Sequence, residues 1–308
     1  MIDFREVTSG LQVPEGPVAL SDGSVLVVEI LGGCLTRIHL DGTRERVADT
    51  GGGPNGAAIG PDGRCYICNS GGFAWAEHDG RRIPVAEAPA NAQPGSIQRV
   101  DLDSGQVETL YTETNGRALR SPNDLVFDAH GGFWFTDYGK VYERVRDRGA
   151  VCYARADGSF IEEVIAPLDS PNGIGLSADG RALFVAETYT GNILRFEIEG
   201  PGRIRRPVDT PAAMTATVIG RAGASRYPDS LALDSAGNVC VATAGIGGIL
   251  VLAPDGSSSE QLELPDPLTS NICFGGPDLR TAYVTLGLSG RLVAFEWPRP
   301  GAPLNFTR

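Results

Sequence analysis

Ser121-Pro-Asn-Asp-Leu-Val-Phe-Asp128, followed after the turn Gly131-Gly132 by Phe133-Trp-Phe-Thr-Asp137, is the stretch from which the fold can be read. A small or turn-forming residue, here Pro122, brings in a polar side chain, an apolar run follows, and a glycine-containing turn leads the chain into a second β-rich run. The same order recurs five more times, at Pro14-Glu15-Gly16 before residues 25–29, Pro54-Asn55-Gly56 before 65–69 and Pro171-Asn172-Gly173 before 183–187. The last two copies are Pro228-Asp229-Ser230 before 239–243 and Ser270-Asn271-Ile272 before 282–286. The polar anchors at 15, 55, 123, 172, 229 and 271 are 40, 68, 49, 57 and 42 residues apart, and the wrap from the last through the chain end to the first adds 52. A unit repeating every ~40–50 residues predicts radial repetition: an all-β, six-bladed β-propeller of four-stranded blades filling residues 1–308 as one domain.

Third and fourth strands follow most copies, as in Gly33-Cys-Leu-Thr-Arg-Ile-His-Leu40 and Thr43-Arg-Glu-Arg-Val-Ala48 around the turn Asp41-Gly42. Asp-Gly between alternating runs is a strong hairpin signal. Phe4-Arg-Glu-Val7 reads as a fourth strand and Arg291-Leu-Val-Ala-Phe-Glu296 as a third, so one blade is expected to join both ends of the chain. That closes the ring and hides the edges that would otherwise pair with other chains.

The innermost strand of a propeller blade lines the axial channel. Each anchor begins such a strand, so all six should meet at one channel mouth, rimmed by the loops 30–33, 70–95, 138–149, 188–191, 244–248 and 287–290. Glu15, Asn55, Asn123, Asn172, Asp229 and Asn271 offer oxygen donors only. Two carboxylates among amide carbonyls suit one hard divalent cation, Ca2+ ahead of Zn2+, Mn2+ or Fe2+. Pro-Asn-Gly and Pro-Asp-Ser are also turn formers, which would explain Asn55 or Asn271 alone but not Glu15.

Composition narrows the classes. Apolar residues are 42% of 308, enough for a sizeable core, and 41 Gly with 21 Pro favour short elements over long helices. A net charge of −12 argues against a nucleic-acid binder. No apolar run nears the ~18 residues of a membrane span, and the N-terminus shows no secretion signal. Cysteines at 34, 65, 68, 152, 240 and 273 read as buried free thiols in a reducing cytoplasm. Cys65 and Cys68 should face opposite sides of one strand. His39, His78 and His130 are placed in or beside hairpin turns on the face away from the anchors, which leaves no Ser-His-Asp triad. Gly51-Gly-Gly53 precedes an anchor, not a helix, so it is no phosphate cradle.

Glu15-Gly-Pro17, Ser121-Pro-Asn-Asp-Leu125 with Phe133-Trp-Phe-Thr-Asp137, Ser170-Pro-Asn-Gly-Ile174, Pro228-Asp229 and Cys273-Phe-Gly-Gly276 together resemble the senescence-marker-protein (regucalcin)/gluconolactonase family of metal-dependent six-bladed propeller lactonases. The resemblance implies metal ligation by Glu15, Asn172 and Asp229, with Asn123 a fourth ligand or a substrate contact. Two departures bear on substrate. Ser121 stands where sugar-lactone members carry Arg, and Ser230 replaces the usual Gly after the metal-binding Asp.

The expected activity is hydrolysis of a small-molecule lactone, with the cation polarising the carbonyl and Asp229 activating water or attacking directly. Competing readings are a metal-free scaffold propeller, an organophosphate hydrolase and a strictosidine-synthase-like enzyme. The long 70–95 loop carries Phe73 and Trp75, and the next rim loop carries Tyr138, Lys140 and Tyr142. Phe73, Trp75, Tyr138 and Asn123 are the expected substrate contacts, in a lid that favours rings with apolar substituents.

Overall fold

The computed structural model describes residues 2–307 apart from 79, 86, 87 and 89–91. Six four-stranded antiparallel sheets stand around an axis as blades. Their innermost strands are Pro14–Ala19, Pro54–Ile59, Pro122–Phe127, Pro171–Leu176, Arg226–Leu233 and Thr269–Gly275. Each of these packs against the next, and the sixth packs against the first, so the ring is closed. Blade six takes Thr269–Gly275, Thr281–Leu286 and Arg291–Glu296 from the C-terminal part and Arg5–Ser9 from the N-terminal part, in the register Arg5 to Ala294 through Ser9 to Arg291. The expected joining of the two ends is borne out.

The core is divided as the repeats are. Six apolar clusters lie one at each junction between neighbouring blades. Between blades two and three, Tyr66, Cys68 and Ile97 meet Phe133, Phe135 and Cys152, all at most 1% exposed. Burying a side chain of the size of Phe133 is worth about 1.5–3 kcal/mol, so each junction is a core in its own right. Cys65 packs into the junction with blade one and Cys68 into the junction with blade three. All six cysteines are free and buried.

Every innermost strand loses regular register at its anchor, for example between Glu15 and Val18, between Pro122 and Leu125 and between Pro228 and Leu231. Such bulges re-aim a side chain out of the pleat. A second device sits one residue on. A Cβ on Gly56 would lie 2.6 Å from the Asn123 carbonyl oxygen, and one on Gly173 2.6 Å from that of Asp229. Only glycine lets the neighbouring anchor's backbone come so close to the axis.

Three blades carry more than the repeat. The 70–95 connection contains a hairpin of Ala74–His78 with Arg81–Val85. This corrects the placement of His78, which is on the anchor-side insertion and not on the opposite face. In blade four, Arg203–Ile204 and a short 3-10 turn at Ala212–Thr215 precede the outer strand Thr217–Arg221. After blade six the chain crosses the face opposite the anchors. Arg299 pairs with Asp234 at 2.7 Å, Asn305 donates to the Phe127 carbonyl, and Phe306 packs edge-on to Phe127 at 5.7 Å. Ala302 through Thr307 thereby close the far end of the axial channel. Among the described residues no helix is long and apolar enough to cross a membrane.

Candidate metal centre and the cavity above it

Five of the six anchors line one cavity of ≈ 200 Å³: Glu15, Asn55, Asn123, Asn172 and Asp229. The sixth, Asn271, is turned aside. Its amide Nδ2 donates to Glu15 Oε2 at 2.7 Å and its Oδ1 accepts from the Ile272 amide at 2.7 Å. The backbone N–H of Gly16 also donates to Glu15 Oε2. Those two donors occupy one carboxylate oxygen and leave the other free to face the cavity.

What remains is a set of oxygens without partners. Glu15 Oε1, Asn55 Oδ1, Asn123 Oδ1 and Asn172 Oδ1 are buried and accept no hydrogen bond. One such atom costs free energy that a native fold ordinarily avoids. Four of them, from four successive blades around one cavity, fit the donor set of a hard cation. Among the described residues no three His, Cys, Asp or Glu side chains are grouped as a metal site, so such a centre depends on the amides.

The amide orientation of Asn172 is fixed from outside. Thr188 Oγ donates to the Pro228 carbonyl at 2.8 Å, so it can only accept from Asn172 Nδ2, at 3.2 Å. This turns Oδ1 of Asn172 inward. Outer partners of this kind decide how a ligand meets its metal.

Carboxyl groups concentrate the charge. Burial, then the neighbouring Asp229, holds the Glu15 carboxyl well above its usual range. Burial pushes Asp229 up to about 7 against the opposing hydrogen bond from Asn172. Asp124 is also pushed to about 7 by burial, and it acts on both of the others. A dication would relieve this mutual repulsion. Asp124 was not singled out in the sequence, although the signal is present: it occupies the place held by Gly56 and Gly173 in other blades.

The cavity wall is mostly apolar. Phe73, Pro84, Val85 and Ala88 come from the blade-two insertion, and Val13, Ile30, Tyr138, Tyr227 and Leu268 from elsewhere on the rim. Trp75 is outside this lining; its ring lies 6.2 Å from that of Phe73, with the Arg82 guanidinium 5.7 Å above it. Ser121 lines the cavity, and its backbone N–H donates to Asp137 Oδ1 at 2.6 Å. Burial raises the Tyr138 hydroxyl far above its ordinary value. His39 sits away from the site, hydrogen-bonded to Glu45 at 3.2 Å.

Known proteins share sequence or fold with this chain. Lactonase drp35 of Staphylococcus haemolyticus is 30% identical over 258 residues, covering 83% of this chain and 70% of the relative. The Staphylococcus aureus strain MRSA252 protein of the same name is 31% identical over 212 residues, 69% of this chain and 57% of the relative. Among solved structures, a gluconolactonase from Xanthomonas campestris superposes with a TM-score of 0.74 at 21% identity, over 96% of this chain and 89% of that one. A calcium-binding regucalcin from Agrobacterium tumefaciens superposes with a TM-score of 0.75 at 17% identity, over 99% and 97%. At such identities the two superpositions speak for the fold alone. The sequence match to the model of the SMP-30/gluconolactonase/LRE-like region runs over residues 13–287, from ahead of Glu15 to beyond Asn271, and the chain belongs to that family.

Proposed function

We propose that this protein is a divalent-metal-dependent lactonase whose cation is held by Glu15, Asn123, Asn172 and Asp229, with Asn55 beside them. The observation that carries the reading is the group of four buried side-chain oxygens without partners around a cavity that Asp229 also lines. Lactonase relatives at about 30% identity favour a cyclic ester as substrate. When bound, the cation supplies the positive charge that polarises an ester carbonyl and steadies the negative charge of addition.

The protein's own part is positioning and proton transfer. Asp229 takes a proton from the water that adds to the carbonyl carbon. The ring C–O bond then breaks, and the proton passes to the departing alkoxide, giving one hydroxy acid per lactone and water consumed. Thr188 and Asn271 orient Asn172 and Glu15. The apolar wall keeps bulk water from the ester and accepts apolar substituents of the ring. Ser121, where an Arg would pair with a sugar, points to the same substrate class.

The test is a lactone panel on chelator-stripped protein, with Ca2+, Zn2+, Mn2+ and Fe2+ returned singly. Activity should vanish on stripping and return with one or more ions. Asp229→Asn should keep a ligating oxygen yet lower turnover at saturating metal by about 10²-fold or more. Turnover equal to wild type in that variant would remove Asp229 from the chemistry, and indifference to chelator would remove the metal.

A further inference from the structure

We infer that Lys140 is the positioning residue that clamps the blade-two insertion over the cavity and thereby decides which ring substituents fit beneath it. The substrate part of this inference rests on the lactonase reading; the clamp itself does not.

Lys140 lies in the connection that leaves the second strand of blade three, Gly132–Asp137, yet its ammonium serves blade two. Nζ donates to the Ser70 carbonyl at 2.6 Å and to the Gly72 carbonyl at 3.2 Å, across 70 and 68 residues of chain. The residue is only 9% exposed, and among the described residues no carboxylate lies within ion-pair distance of Nζ. Burial holds its pKa below the ordinary lysine value.

Two carboxylates near enough to influence Lys140 have other tasks. Asp137 accepts from the backbone N–H groups of Arg120, Ser121 and Gly139. Asp147 accepts from the backbone N–H of Lys140 itself. A buried ammonium is costly unless its hydrogen bonds are met. Pairing with Asp147 inside its own loop would meet that need and would be ordinary loop packing. Instead the side chain reaches into another blade and spends its donors on backbone carbonyls.

Those carbonyls are at the root of the insertion. Phe73, which follows Gly72, projects into the cavity lining, and its ring is wedged where a Cβ on Gly53 would lie 2.7 Å away. The returning limb is tied by the next residue along: the Ala88 N–H donates to the Val141 carbonyl at 2.7 Å. The Gln93 N–H closes onto the Gly71 carbonyl at 3.2 Å. Residues 140 and 141 thus hold both limbs of the insertion, and the side-chain half of the clamp is Lys140. Both limbs contribute wall residues, Phe73 on one and Pro84, Val85 and Ala88 on the other.

The experiment compares wild type, Lys140→Met and Lys140→Arg by amide hydrogen exchange of the metal-loaded protein, by calorimetric Ca2+ binding and by lactone kinetics. Methionine keeps the length and loses the donors, whereas arginine keeps donors. In Lys140→Met, protection across residues 70–95 should fall about tenfold while the blade strands stay protected. Ca2+ affinity should not fall by more than about twofold, because the ammonium, although Lys140 lines the same cavity, donates to the Ser70 and Gly72 carbonyls and to none of the metal-facing oxygens. KM for a lactone with a bulky apolar substituent should rise about tenfold, against less than about threefold for a small unsubstituted ring. Lys140→Arg should restore much of the protection. If Lys140→Met does not fold, Lys140→Gln, with a single shorter donor arm, takes its place in the same comparison. Unchanged protection in 70–95 overturns the clamp, whatever the kinetics. Loss of protection with equal KM changes for both lactones overturns the specificity role. Absence of lactone turnover in wild type overturns the lactonase reading, while the exchange comparison still decides the clamp.

Discussion

An asparagine amide has one end that can hold a cation and one that repels it. At Asn172 the choice is made by Thr188, whose hydroxyl is already committed to the Pro228 carbonyl. Thr188→Val keeps the shape and removes the acceptor, so the amide can turn. The expected result is about a tenfold loss of metal affinity, with only the modest fall in unfolding midpoint without metal that the lost bond to the Pro228 carbonyl brings; calorimetric titration reads the first and thermal denaturation the second. At this scale the sequence showed which residue types meet and left their orientation unread. The anchors are legible because oxygen-only side chains recur in one place of a repeat. Their aim depends on partners 16 and 256 positions away, Thr188 for Asn172 and Asn271 for Glu15, and no local pattern encodes those distances.

At the scale of elements, Asp-Gly turns explain one success and one error. They mark hairpins within the blades, where Asp22, Asp41, Asp157 and Asp255 each accept the backbone N–H two residues on. Asp79-Gly80 carries the same sequence signal, yet His78 pairs with Arg81 in a hairpin of the anchor-side insertion. A turn signal reports that the chain reverses, not on which face, and the 68-residue interval was the better guide to the insertion. The aspartates also give a pH prediction. Hydrogen bonds from Ser24, Thr43, Ser159 and Ser257 hold these four carboxyls below their ordinary value. A lowered folded-state pKa stabilises above the unfolded value, and that stability is lost as pH falls through the folded one. A variant with all four changed to Asn should therefore be less stable than wild type at neutral pH. The difference should begin to shrink below the ordinary Asp value of about 3.9 and be smaller at about pH 2.5 than at neutral pH. Urea unfolding at both pH values measures it, and an equal difference at the two would contradict the assignment.

At the scale of the whole molecule, the ring and its closure were legible because both chain ends carry half of the pattern. The segment after Trp297 was not, since Pro298-Arg-Pro-Gly-Ala-Pro303 has no periodicity and takes its meaning from distant partners. One is Asp234, whose side chain is fully buried and bonded to Arg299. Deleting residues 299–308 removes the cation paired with that carboxylate, which keeps only its hydrogen bonds from Ala236 and Asn238, and uncovers Phe127. The expected loss of unfolding free energy is about 2 kcal/mol, read by urea denaturation at neutral pH, and a loss indistinguishable from zero would show that the segment only lies over the channel.

The pairing of Arg5–Ser9 with Arg291–Glu296 also governs how this protein comes into being. A ribosome delivers the first of these strands nearly an entire chain ahead of its partner. Until synthesis is complete, that strand waits with its backbone bonds unmade, beside a blade-one edge that blade six will later cover. Glu15 emerges early and Asp229 late, so the two carboxylates that line the cavity come together only after most of the chain has been made. Any product that stops short of residue 291 lacks the strand that completes the ring and carries two open edges for degradation or aggregation to find.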